Sequence, residues 1–156
     1  MSLKLKSNPS RWRFLLLFAG LIWGVGQTVL ASVPPETKVQ AVLIWGTDES
    51  KPTGKSLKEV DTKLREKLGK IFKWQNYFEV SRQNSGALPG KSQVIKLSED
   101  CSVDIKILPD NTAEVKLMGK GKAIVTRRHS LTKPDALVLA GDDKNNTAWF
   151  VVLNFN

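Results

Sequence analysis

The residues that look most like chemistry are Thr53-Gly54-Lys55-Ser56, a Gly-Lys-Ser triplet between an apolar run and a helical pattern. A phosphate-binding loop has the form GxxxxGK[ST] between a strand and a helix. Its backbone N–H groups cradle phosphate oxygens, and the lysine neutralises them. The first glycine of that pattern would fall at Glu49, and Gly46 lies too far back. A carboxylate at that point faces the phosphates, and the backbone freedom of glycine is missing. Leu137-Val138-Leu139-Ala140-Gly141-Asp142 imitates an apolar strand ending in a magnesium-binding aspartate. The chain around it, however, reads as antiparallel hairpins rather than the βαβ units this chemistry uses. The expectation is a loop followed by a helix cap, and no nucleotide.

Other chemistries lack partners. His129 is the single histidine, and it follows Arg127-Arg128. With one cysteine and no carboxylate array, no set of metal ligands is present. Ser130 and Asp135 stand near His129, but the chain has no Gly-x-Ser-x-Gly elbow. Asp142-Asp143 with Asn145-Asn146 lacks the spaced carboxylates and closing Glu of a calcium loop. Asn145-Asn146-Thr147 fits a glycosylation acceptor, which matters only in a eukaryotic secretory route. The expectation is a protein without cofactor or metal that is not an enzyme. Cys101 is the only cysteine, so no internal disulfide is possible. It opens an alternating apolar run and is expected to be buried.

Charge offers the remaining candidate site. Lys116, Lys120, Lys122, Arg127, Arg128, His129 and Lys133 form the densest basic region. The first six are the candidate anion-binding residues, for an envelope polysaccharide or a lipid headgroup. Nucleic acid fits less well, because aromatic side chains do not interleave with the cations. The bland alternative is a solvated strand edge, where lysine discourages edge-to-edge aggregation. If the two strands that carry these residues pair across Gly119 and Gly121, Lys116 and Arg127 or Arg128 come within one Debye length, about 10 Å at 0.1 M salt. If the side chains alternate between faces, the field is diluted.

The 156-residue chain carries a formal net charge of +9. Part of that excess belongs to the N-terminus. Lys4, Lys6, Arg11 and Arg13 form a basic head without an acid, and Phe14 to Leu30 is apolar apart from Gly20, Gly24, Gly26, Gln27 and Thr28. Val29-Leu30-Ala31 suits a signal peptidase, so residues 1–31 read as an export signal. The alternative is an uncleaved inner-membrane anchor, since the run is close to the minimum for a span. No cysteine follows it to carry a lipid. Removing four basic residues and no acidic one leaves +5. The expected destination is periplasmic or extracellular, with membrane contact only through an uncleaved signal.

Positioning elements follow from periodicity. Residues 32–37, with Pro34-Pro35, read as a linker to a single domain over 38–156. Ala41 to Trp45 is continuously apolar, which predicts a strand central in a sheet or covered on both faces. Leu57, Val60, Leu64, Leu68 and Ile71 recur at three and four, predicting a helix over 56–72, with an end in a left-handed cap at Gly69 as the alternative, Ser56 and Glu59 as a capping box and Glu59 paired to Lys63. Residues 77–80 read as a strand and 82–90 as a loop. Val94, Ile95 and Leu97 mark a short strand. Val103, Ile105 and Ile107 alternate with charges, as do Ala113, Val115 and Leu117, predicting a hairpin that pairs Ile105 with Val115. Residues 123–126, 137–140 and 147–155 complete the strands, the last of them apolar on both faces and therefore interior to its sheet.

This gives an α+β expectation: one long amphipathic helix packed on a largely antiparallel sheet of about six or seven strands. Leu64 to Val80 and Leu137 to Phe155 (LVLAGDDKNNTAWFVVLNF) resemble small exported bacterial α+β proteins of unassigned activity. The terminal hairpin is similar in topology to strand-rich periplasmic modules of outer-membrane secretion assemblies. The resemblance carries structure and no site. The expected function is a non-enzymatic exported module that binds an envelope or secreted protein partner or supports an envelope assembly. Anion binding through 116–133 is the alternative, and an enzyme of another type is the third.

Overall fold

The computed structural model describes residues 35–50, 57–142 (of Asp142 only the backbone) and 147–156. The export signal over 1–31, the Gly-Lys-Ser triplet and the 143–146 turn lie outside the described residues.

Two antiparallel sheets stack face to face, and one short helix covers the outer side of the first. The first sheet contains β1 (Thr37–Thr47), β2 (Lys58–Glu59), β3 (Asn76–Ala87), β8 (Leu137–Asp142) and β9 (Ala148–Phe155), in the order β2-β3-β1-β9-β8. The second contains β4 (Ser92–Lys96), β5 (Cys101–Ile107), β6 (Thr112–Gly119) and β7 (Lys122–Ser130), in that order. Apart from the β2–α1 insertion, each strand is next to its neighbour in sequence. The chain goes round from β3 to β4 and from β7 to β8, and returns beside β1 as β9. The result is a flattened up-and-down arrangement, not one sheet backed by a long helix.

The continuous apolar run of β1 supplies both layers of core. Val39, Ala41 and Leu43 face the second sheet and meet Val103, Ile105, Val115 and Leu117. Val42 and Ile44 face the helix side with Leu68, Tyr77, Phe150 and Val152. Each valine, leucine, isoleucine or phenylalanine among them, when fully buried, stabilises the fold by about 1.5–3 kcal/mol. β9 lies between β1 and β8, as its two apolar faces require. The β5–β6 hairpin has the register set by its alternation: Ile105 opposite Val115, Val103 opposite Leu117, Ile107 opposite Ala113, with Lys106 opposite Glu114 and Asp104 opposite Lys116.

The expected long helix is corrected. α1 spans Thr62–Gly69, eight residues. Asp61 is its N-cap, accepting from the Leu64 N–H at 3.0 Å. Upstream, Lys58 and Glu59 pair with Glu79 and Phe78, and the Val60 N–H donates to the Tyr77 carbonyl. Val60 is therefore buried from an extended segment, and Leu57 and Val60 matched a helical period by coincidence. Glu59 pairs with Arg65 rather than Lys63. Ile71 lies past the helix end and is exposed. A phosphate loop feeds its helix directly, whereas here a strand precedes a helix that starts at Thr62. The expected loop over 82–90 is also corrected: β3 continues to Ala87, paired with β1 down to Thr37. A bulge between Leu43 and Ile44 leaves Val80 as the extra residue of that ladder.

Candidate functional site

The basic residues converge on β6, β7 and the turn between them. Lys120 and Gly121 form a two-residue connection, both with positive φ (50° and 74°), closed by Gly119 opposite Lys122. This is the turn geometry that suits the twist of a hairpin, and Gly121 adopts it without side-chain strain. The Lys120 N–H donates to the Asp100 carbonyl at 2.8 Å, which ties the turn to the loop before β5.

Directly opposed residues in an antiparallel pair share a face. Arg128 lies opposite Glu114 and Lys116 opposite Thr126, on the solvent face. Arg127 lies opposite Val115 and His129 opposite Ala113, on the side that faces the first sheet. Arg127 and Arg128 thus point to opposite faces. On the solvent face Glu114 stands between the cations, its Oε1 3.8 Å from Lys116 Nζ and its Oε2 3.8 Å from Arg128 Nε. Asp110 adds a second acid there. Its carboxyl is held below the usual range chiefly by the Thr112 hydroxyl, which donates to it at 2.6 Å, with a smaller contribution from Arg128. His129 is withdrawn from the surface: its ring stacks on Phe155, centroids 5.5 Å apart, and its Nε2 is buried without a hydrogen-bond partner. The six candidates therefore do not form one field.

Lys120 and Lys122 are brought to something the sequence did not show. The β6–β7 ladder shifts register after Leu117, which leaves Ile124 as an extra residue between Ala123 and Val125. A bulge of this kind re-aims a side chain. Ile124 lies over Gly119 and is 48% exposed, at the lip of an opening of about 610 Å³ between the sheets. Leu43, Cys101 and Trp149 supply apolar walls, and Ser98, Asp100, Lys120 and Lys122 supply polar groups. Burial pushes the Cys101 thiol up to about 11. Of these, sequence reasoning singled out only the two lysines as site residues. The bulge has no residue signature, and Trp149 and Leu43 read as ordinary core.

The outer edge of β7 is the other exposed feature. The Leu131 N–H donates to the Asn111 carbonyl at 2.9 Å. Counting back in twos, His129 and Arg127 turn their N–H and C=O groups toward β6, while Thr126, Arg128 and Ser130 turn theirs outward, where the Thr126 carbonyl accepts from Arg127 Nη1 at 3.3 Å. β7 is the last strand of its sheet, and Thr126 and Arg128 are exposed. Between Glu114 and Asp135 the chain carries six lysines and arginines and no acid.

Among the described residues no group of three or more His, Cys, Asp or Glu could hold a metal ion, and no helix is long and apolar enough to cross a membrane. No family model, curated protein or solved structure matches the chain.

Proposed function

We propose that the protein is an exported, non-enzymatic module that binds an extended acidic segment of a partner protein along β7. One observation carries this reading: a sheet-edge strand with outward N–H groups at Thr126, Arg128 and Ser130 and outward C=O groups at Arg128 and Ser130, the Thr126 carbonyl being taken by Arg127 Nη1 at 3.3 Å, in a stretch that contains cations and no acid. An added strand takes its affinity from main-chain hydrogen bonds and its selectivity from side chains and charge. Two β7 edges brought together would set arginine against arginine, so the charge opposes self-pairing and favours an acidic partner. The basic head and apolar run of residues 1–31 support export to the periplasm or cell exterior. Binding of a polyanion over the solvent face has less support, because Glu114 and Asp110 lie among the cations there.

The test uses a fluorescent six-residue peptide of alternating valine and glutamate. Binding is expected to shift the backbone amide resonances of Thr126, Arg128 and Ser130. Thr126→Pro removes one outward donor without touching the β6 ladder, and proline is tolerated on an edge. It is expected to weaken binding at least about tenfold with an unchanged circular dichroism spectrum. Equal binding of an alternating valine–lysine peptide, or indifference to Thr126→Pro, would overturn the reading. Export is tested separately by the intact mass of the native protein, expected to begin at Ser32.

A further inference from the structure

We infer that the opening between the two sheets, at the end marked by Lys120 and Trp149, binds a small amphipathic monocarboxylate. Its apolar chain would lie between Trp149 and Ile124, and its carboxylate against Lys120 and Lys122.

Four features of the chain build this end. The bulge at Ile124 turns an isoleucine toward the opening, where it remains 48% exposed, a poor place for a large apolar side chain with nothing to cover it. Trp149 closes against Gly141 and is also only partly buried. Leu43 and Cys101 form a nearly dry floor, 6% and 7% exposed. The volume of about 610 Å³ falls within the range of small-molecule sites, roughly 300–1,000 Å³, which favour the mouths of barrel-like sheets.

The polar groups choose the ligand. They are confined to one lip: Lys120 in the turn, Lys122 opposite Gly119, and Ser98 and Asp100 on the facing loop. The Lys120 N–H to Asp100 carbonyl bond holds turn and loop together before any ligand arrives. Two ammonium groups and one carboxylate leave a single positive charge at the lip. That complements one negative charge on an otherwise apolar molecule. A dianion would meet the Asp100 carboxylate, and a cation would meet the lysines. Lysine ammoniums on flexible stems suit a head whose exact position is set by the depth of its tail.

This inference stands apart from the edge-strand proposal, since it uses the opening between the sheets and not the outer side of β7. The experiment titrates the full chain with decanoate, below its micellar concentration, by calorimetry. Decanol and decyltrimethylammonium are the neutral and cationic controls. Saturable one-site binding of decanoate is expected, at least about tenfold tighter than decanol. The double variant Lys120→Asn with Lys122→Gln keeps a residue that accepts positive φ in the turn. It is expected to reduce decanoate affinity about tenfold and leave decanol unchanged. Ile124→Glu, at a half-exposed position, is expected to abolish decanoate binding, whereas Thr126→Pro is expected to leave it intact. Absence of saturable binding, equal affinity for decanol, or an unchanged affinity in the double variant would overturn the inference.

Discussion

The indole of Trp149 occupies the space that a side chain at Gly141 would need. The two residues are paired across β8 and β9, so the ring lies on its neighbour's backbone rather than upright on the sheet. Gly141→Ala is therefore expected to displace the ring toward the opening it lines. The cost is set by overpacking, about 1–3 kcal/mol, and falls at the low end because the ring has open space beside it. Thermal denaturation reads the loss of stability, and a red shift of tryptophan emission reads the displacement.

Cys101 reports on the same region. Its thiol is buried and pushed up to about 11. At pH 8 the folded protein then holds about one thousandth of it as thiolate, so iodoacetamide is expected to label it only after unfolding. The pH dependence has a definite sign. Where the native pKa is the higher, the unfolded state releases its proton first, and stability falls as pH rises from about 9 toward about 11. The loss is on the order of 2 kcal/mol and should shrink in Cys101→Ser to the smaller fall above about pH 10 that the raised Tyr77 pKa adds. Denaturant titration at pH 7, 9 and 10.5 checks this.

The β5–β6 register was legible in sequence because only one alignment puts Val103, Ile105 and Ile107 opposite Leu117, Val115 and Ala113 while also opposing Lys106 to Glu114. β1 and β9 announced themselves as interior strands by being apolar on both faces. The second half of β3 did not. Arg82, Gln83, Asn84 and Ser85 hydrogen-bond to β1 as a strand, but they carry the polar residues of an edge that packs little. The helix was overread because Val60 continues the spacing of Leu64 and Leu68 while its backbone bonds to Tyr77. Of the candidate site, the cations were visible, and Arg127 and Arg128 part by plain strand alternation. The face that Lys122 takes was not visible, because it depends on one extra residue at Ile124, which no local propensity marks.

Tyr77 carries an orphan group. Its ring is buried beside Phe150, centroids 5.9 Å apart, and its hydroxyl is buried without a hydrogen-bond partner. Its pKa is raised by burial first and by the Asp48 charge second. An unsatisfied buried hydroxyl costs about 1–3 kcal/mol in desolvation. Tyr77→Phe keeps the ring and removes that group, so it is expected to be neutral or to raise stability by up to about 1 kcal/mol, read as a higher denaturation midpoint.

Asp61 fixes where the helix begins. Its side chain accepts from the Leu64 N–H at 3.0 Å while its own backbone is extended, φ −61° and ψ 154°. Asp61→Ala is expected to cost about 1 kcal/mol. In an eight-residue helix that loss should fray the first turn, raising amide exchange at Leu64 and Arg65 while β1 and β9 stay protected.

Glu114 decides how the solvent face of the second sheet meets anions. It stands 3.8 Å from both Lys116 and Arg128. Lys116 also has Asp104 directly across β5. These contacts are partly exposed, so each contributes little to stability, about 0–1 kcal/mol. Their effect on the field is larger, because a carboxylate amid cations cancels the potential that would concentrate a polyanion. Glu114→Gln is therefore expected to leave the denaturation midpoint nearly unchanged and to raise the salt needed to elute the protein from heparin. Lys122→Ala with Arg127→Ala and Arg128→Ala should lower it. The two effects test different things. Stronger retention in Glu114→Gln shows that Lys116 and Arg128 can act together once released. Weaker retention in the triple variant, with the alternating valine–glutamate peptide also lost, would mean that partner and polyanion compete for β7. Retention that ignores Glu114→Gln would show that the cations are too far apart to act as one surface whatever stands between them.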